Sequence, residues 1–338
     1  MQIDSEPAHD SPARFVRLFS TFCALLVAIW LGLYALWQSF PYVRPGHEQI
    51  YDAKFELVAR GDAFSAAVPI RAAVFGDSRV LAGFIPELFD ELSGGRIQSY
   101  NLGLPNMTDF LDVLEEMAAT EPKPTHALLV FPWSSRAEPG PWALIQDDQK
   151  MITQLFPFRH FPRDLAQFLV RSYQHGGLAS YYDYMKEQVA SARRDRGYFF
   201  IEHMSHFPNH VLPEGFRLET ETSSLVRHRR YELKGKAYER IRTLADEQGI
   251  RIVLVPLYHR RGQFGAPGSN QDDRQRLAEH GVWVAGPDYW LYPNEFFSDP
   301  THLNRRGAAQ YTRQLWDLVG PGLLADSPDA AVHDGTGR

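Results

Sequence analysis

Three residues have the types and spacing needed for nucleophilic acyl chemistry. The apolar run over 70–75 ends abruptly in Gly76-Asp77-Ser78. A buried strand ending this way delivers a serine to the rim of a sheet. A serine hydroxyl is a poor nucleophile until a base removes its proton. That base is commonly a histidine, kept in one tautomer by a carboxylate. Far along the chain, Asp299-Pro-Thr-His302-Leu-Asn304 supplies both groups. A three-residue spacing on a loop lets the Asp299 carboxylate reach the His302 imidazole. Ser78, His302 and Asp299 are therefore the candidate catalytic residues.

Other residues are candidates for contact rather than reaction. Arg79, next to Ser78, could pair with an acidic polymer or a phosphate, or remain a solvated surface residue. Tyr258-His259 closes a later strand at the carboxyl edge of a sheet, where doubly wound folds bind ligands. Asn304 reads as a helix cap or loop-ordering residue. His203, His206 and His210 lack the spacing of a helical metal site such as His-Glu-x-x-His, so no metal is assigned. No cofactor is expected. The basic runs 193–196 and 227–230 read as solvated faces that could also attract lipid headgroups or an anionic polysaccharide.

The elements that must position these residues follow from patterning. The chain has 338 residues, 44% apolar and 22% charged, which suits a packed globular core. Its net charge of −6 gives no electrostatic footprint for nucleic acid. The single cysteine, Cys23, excludes an intrachain disulfide. The run over 70–75 reads as a first strand, buried on both faces. A helix with Pro86 near its start and 87–92 as its body follows. Ser99 to Gly103 reads as a second strand, Thr108–Thr120 as a helix capped by Thr108, and 126–131 as a third strand. This β-α-β-α-β order predicts an open α/β sheet, mainly parallel.

The pattern then breaks. Residues 133–230 hold aromatic-rich helical segments, 164–173 and 178–192, and no run suited to a central strand. They are expected to form a helical insertion in a domain spanning 70–322. The sheet pattern resumes with a helix over 235–248, a fourth strand over 250–257, a helix over 271–280, a short fifth strand over 282–285 and a closing helix over 307–319. The tails 1–13 and 323–338 read as disordered, and 44–69 as a linker carrying a short helix.

Upstream, residues 18–43 contain no charge. The apolar core over 22–37 is long enough to cross a bilayer with its flanks. Trp30, Tyr34 and Trp37 suit an interface. The span over 14–43 reads as a signal-anchor rather than a cleaved signal, since no small-x-small site closely follows it. Arg14 and Arg17 precede the uncharged stretch, and Arg44, Lys54 and Arg60 follow it, so the charge count does not set an orientation. The short N-terminal tail favours an exported downstream domain.

Gly76-Asp77-Ser78 after strand one, with Asp299-x-x-His302 before the closing helix, resembles the SGNH/GDSL hydrolase superfamily over about 70–135 and 235–320. The resemblance implies a flavodoxin-like three-layer α/β/α sandwich, with Ser78 as nucleophile and Asp299 and His302 completing the triad. It also implies an oxyanion hole. The family's second block supplies a glycine N–H, and here the matching segment, 101–108, offers Gly103 or Asn106 beside the N–H of Ser78. The family's third block supplies an Asn. Here strand three instead ends in Phe131-Pro-Trp133-Ser134-Ser135, leaving Trp133 or Ser134 as oxyanion or substrate contacts.

These departures, together with an N-terminal anchor, resemble the alginate O-acetylation and teichoic-acid D-alanylation proteins of the superfamily. That resemblance implies an acyltransferase using a polysaccharide acceptor, with acyl groups supplied by a membrane-bound O-acyltransferase. It implies a single-pass protein of the inner membrane with its catalytic domain periplasmic or extracellular. Two alternatives stay open. One is a membrane-tethered esterase, the other a non-catalytic SGNH-fold assembly partner of such an O-acyltransferase.

Overall fold

The computed structural model describes residues 12–44, 46–104, 110–130, 152, 155–199, 205–218, 236–262, 275, 277–279 and 281–325. The chain divides into two compact units, Met1–Pro45 with Pro141–Asp183, and Gly46–Gly140 with Tyr184–Arg338.

The larger unit is α/β. Its sheet contains β1 (Ile70–Gly76), β2 (Ile97–Gly103), β3 (His126–Val130), β4 (Arg251–Val255) and β6 (Trp283–Val284), in the order β2-β1-β3-β4-β6. Every pairing is parallel. Alternate residues of each strand feed opposite cores, because side chains alternate across a pleated strand. Ala73, Phe75, Ala127, Leu129, Ile252 and Leu254 pack on one face. Ala72, Val74, Leu128, Val130, Val253 and Val255 pack on the other. Burial on both faces explains why β1, β3 and β4 read as largely apolar runs.

Helix α2 (Gly46–Ala59) belongs to this unit and not to a free linker, which corrects the reading of 44–69. Val58, Ala63 and Phe64 enter the first core, and Lys54 is buried. After β1 come α3 (Ser78–Gly83) and α4 (Pro86–Leu92). Helix α5 (Phe110–Ala119) follows β2. The smaller unit holds α1 (Pro12–Ser39) and α6 (Phe161–Gln174). Helix α7 spans Leu178–Arg194, and α8 spans Lys236–Gln248 ahead of β4. The closing helix α9 runs Arg305–Ala325, longer at both ends than expected.

The expected single insertion over 133–230 is not one body. Residues from 184 onward group with the sheet. Ala192 and Phe199 pack with Ile50, Leu81 and Ala82. The Asn101 N–H donates to Arg196 O at 2.9 Å, satisfying part of the β2 edge. Gly197 follows with φ +84°, and a Cβ there would lie 2.0 Å from Asn101 O.

The expected fourth strand is two strands. Pro256 interrupts it, and β5 (Leu257–Arg260) continues beyond, pairing in parallel with β7 (Tyr289–Tyr292). Proline has no N–H for the ladder, so the break falls there. The four-residue β7 run Tyr-Trp-Leu-Tyr was not expected as a strand.

In the smaller unit, α1 is 28 residues long and buries none of them. It is long and apolar enough to cross a membrane.

Candidate active site

Ser78 opens α3 directly after β1. Asp77 is its N-cap, with the carboxylate accepting from the Arg79 N–H at 2.8 Å. The tight strand-to-helix turn requires empty space at two paired positions, Gly76 and Gly103. A Cβ on Gly76 would lie 2.2 Å from Val80, and one on Gly103 2.3 Å from Leu81 N. Asn101 secures α3 from below. Its amide donates to Val80 O and to Phe84 O, each at 2.8 Å, and its Oδ1 accepts from Gly103 N–H at 2.9 Å.

His302 sits on a loop closed by the antiparallel bridge between Phe297 and Leu303. Ser298 N–H donates to His302 O at 2.9 Å. Asn304 caps α9, its Oδ1 accepting from Gly307 N–H at 3.0 Å, while its amide donates to Glu295 O at 2.9 Å. The start of α9 and the loop that presents His302 are thus fixed by one side chain, in the capping role anticipated for Asn304.

These elements bring Ser78, His302 and Asp299 together. Ser78 Oγ lies 3.0 Å from His302 Nε2, and His302 Nδ1 lies 2.8 Å from Asp299 Oδ2. The Asp299 carboxylate accepts through Oδ1 from the N–H groups of Thr301 and His302, at 2.7 and 2.8 Å. Burial raises its pKa, but the hydrogen bond and charge of His302 and the two amides outweigh burial and hold it below the ordinary carboxylate value. An ionised Asp299 places the imidazole proton on Nδ1. The lone pair of Nε2 then faces the serine hydroxyl. This arrangement can take the Ser78 proton as Oγ attacks a carbonyl carbon, then return it to a leaving group.

The other expected site residues separate into distinct groups. Gly103 is not an oxyanion donor: its N–H is committed to Asn101, and its role is to leave room for α3. The Ser78 N–H has no acceptor among the described residues. Asn106, Trp133 and Ser134 lie outside the described residues, as does His203. Tyr258 is wholly buried and does not line a substrate site. Its hydroxyl donates to Arg79 O at 2.9 Å, and burial pushes its pKa well up. His259 is also buried, with Nδ1 3.4 Å from Arg79 Nη1. Burial and the Arg79 charge lower its pKa to about 3, so it is neutral. Arg79 is gripped by Asp77, with Nε 2.9 Å from Oδ2, and so braces the turn instead of awaiting an anion. Arg193, Arg194 and Arg196 likewise pair internally, with Glu56, Glu187 and Asp90. Among the described residues no group of His, Cys, Asp and Glu could hold a metal ion.

Two supporting residues escaped the sequence reading. Asn101 is wholly buried near the end of β2, where its amide must find hydrogen-bond partners within the protein. Lys54 falls on the inward face of α2, four positions after Ile50 and four before Val58. Its Nζ donates to Gly103 O at 2.7 Å. Burial holds its pKa well below the ordinary ammonium value.

Comparison with family models, with curated proteins and with solved structures returns no match.

Proposed function

We propose that the chain is a membrane-anchored, SGNH-type serine acyltransferase that O-acetylates a cell-surface or exported polysaccharide. The observation that carries the reading is the relay Ser78 Oγ, His302 Nε2 and Nδ1, Asp299 Oδ2, with contacts of 3.0 and 2.8 Å. In this reading Ser78 attacks the carbonyl carbon of an acyl donor while His302 takes its proton. The donor's leaving group departs with that proton, and an acyl-Ser78 ester remains. A sugar hydroxyl then gives its proton to His302, attacks the ester and releases Ser78.

The strand order supports the flavodoxin-like, three-layer form of the fold, since it follows the 2-1-3-4-5 doubly wound pattern with β6 as its fifth strand. Among the described residues the Ser78 N–H is the donor retained for an oxyanion, since the Gly103 N–H is committed to Asn101. The anchor is α1, about 42 Å long at 1.5 Å per residue, enough for a hydrocarbon core of about 30 Å. Such an anchor suits the inner membrane, an exported catalytic domain, and an acyl supply from a membrane-bound O-acyltransferase.

Hydrolysis uses the same relay, and partial exposure favours it as the second reading. The side chains of His302 and Asp299 are 20% and 26% exposed, so water has access to the base.

The test is fluorophosphonate labelling and acetyl transfer from an activated acetyl ester to oligosaccharides, with the full chain in detergent. Ser78→Ala should abolish both. Full acetyl transfer by this variant would sink the proposal. Acetate release unaffected by any acceptor would select the esterase reading.

A further inference from the structure

Helix α6 has three faces. Phe161, Asp164, Phe168 and Ser172 are buried, at helical spacing. Arg163, Gln167 and Arg171 form a polar face. Between them Leu165, Leu169, Val170 and Tyr173 are 37%, 48%, 65% and 91% exposed. At about 100° per residue, these four span an arc of roughly 140°. An amphipathic helix that buries its apolar face needs two sides. Here a second apolar side lies beyond the packed one, and contiguous exposed apolar surface of this kind marks a contact site.

The chain just before α6 indicates what covers it. The Trp30 indole N–H donates to Leu155 O at 2.7 Å, and the Trp30 and Phe158 rings meet edge to face at 5.9 Å. Trp30 stands nine positions before Ser39, so this contact lies about 14 Å inside the end of α1. Leu155 and Phe156 are themselves exposed. The apolar surface of α1 therefore continues through this segment into the outer face of α6, within one compact unit. At the same end, Arg44 stacks over Trp37, and Arg44 and Arg171 line one cleft with Tyr42. Aromatic rings and arginines together suit the headgroup level of a bilayer.

We propose that α6 is an interfacial helix, lying at the headgroup boundary of the bilayer that α1 crosses. Leu165, Leu169, Val170 and Tyr173 enter the acyl region. Arg163, paired with the Asp164 carboxylate at 2.8 Å, faces water with Gln167, and Arg171 meets water and anionic lipid phosphates. The proposal rests on the membrane reading of α1 and is independent of the Ser78 chemistry.

The test is a nitroxide scan of the full chain in phosphatidylcholine–phosphatidylglycerol vesicles. Cys23→Ser provides the background, because Cys23 is the sole cysteine. Single cysteines replace Leu165, Leu169, Val170, Arg163, Gln167 and Arg171 in turn, with Val27 as the α1 control. Collision with oxygen reports lipid, and collision with a water-soluble nickel chelate reports water. The expected oxygen-to-nickel ratio is several-fold higher at 165, 169 and 170 than at 163, 167 and 171, and high at 27. Nickel access at all six α6 positions, with 27 in lipid, overturns the proposal alone. Shielding of 165, 169 and 170 from both reagents also overturns it, in favour of a protein partner. Nickel access at 27 overturns the anchor and this proposal together. Ser78 labelling, measured in parallel, tests the catalytic reading separately.

Discussion

Replacing Asp299 by asparagine should cost about 10⁴ in turnover while leaving the fold intact. The site geometry dictates which way the new amide points. Oδ1 of Asp299 accepts from two backbone N–H groups, at 2.7 and 2.8 Å. Only the carbonyl oxygen of an asparagine can occupy that position. Its NH₂ must then face His302 Nδ1, now 2.8 Å from Oδ2. A donor there requires Nδ1 to be the acceptor, which moves the ring proton to Nε2. The protonated Nε2 then faces the Ser78 hydroxyl and cannot receive its proton. The same tautomer error in a serine-protease triad lowers turnover by about 10⁴, or about 5.5 kcal/mol of transition-state stabilisation. The assay is the rate of fluorophosphonate labelling at Ser78 and of ester turnover, with unfolding followed alongside. Activity of Asp299→Asn within tenfold of the parent, with the fold intact, would refute the tautomer argument. The substitution should also reduce sensitivity to acid. The depressed pKa of Asp299 contributes stability that is present above the unfolded value of 3.8 and lost as pH falls through the folded value.

Three further outcomes follow from the scaffold. Asn101→Ala leaves Phe84 O and Gly103 N–H without their partner, while Val80 O retains the Phe84 N–H. Two orphaned buried groups at about 1–3 kcal/mol each predict a loss of about 2–6 kcal/mol in urea unfolding, with Ser78 labelling falling as α3 loosens. Gly103→Ala places a methyl 2.3 Å from Leu81 N, so α3 must shift; overpacking of this kind costs about 1–3 kcal/mol, and Ser78 labelling should slow more than stability alone explains. Burial lowers the pKa of Lys54 in the folded chain, so the unfolded chain binds more protons below the ordinary lysine value of 10.5, and stability from this group rises with pH up to that value. Lys54→Met should remove that component, whose slope is at most about 1.4 kcal/mol per pH unit, and equal pH slopes for the two proteins between 8 and 10 would count against it.

The parts of the fold that were legible are those with local signals. The apolar runs of β1 and β3 announce strands buried on both faces, and Pro86 marks the start of α4. The β5–β7 pair was not legible, because each strand has four residues and its ladder forms only with a partner about thirty positions away in the chain. The 184–199 segment reads as an ordinary amphipathic helix, and nothing local says that Ala192 and Phe199 dock beside Leu81.

The same division runs through the site. The sequence alone determined which groups could do chemistry: a serine after a strand, and an aspartate and a histidine spaced to share a loop. It also determined that the stretch over 18–43 carries no charge, since composition needs no folding to be read. Only the tertiary structure decided that Ser78 meets His302, 224 positions away, and that Gly103 provides space instead of a hydrogen bond. It also set Arg79, Tyr258 and His259 as braces and gave Asn101 and Lys54 their places beneath α3. The physical reason is that a donor's availability depends on which acceptor the folded chain brings to it. Residue type fixes what a group can donate or accept, and packing fixes whether the bond is already made.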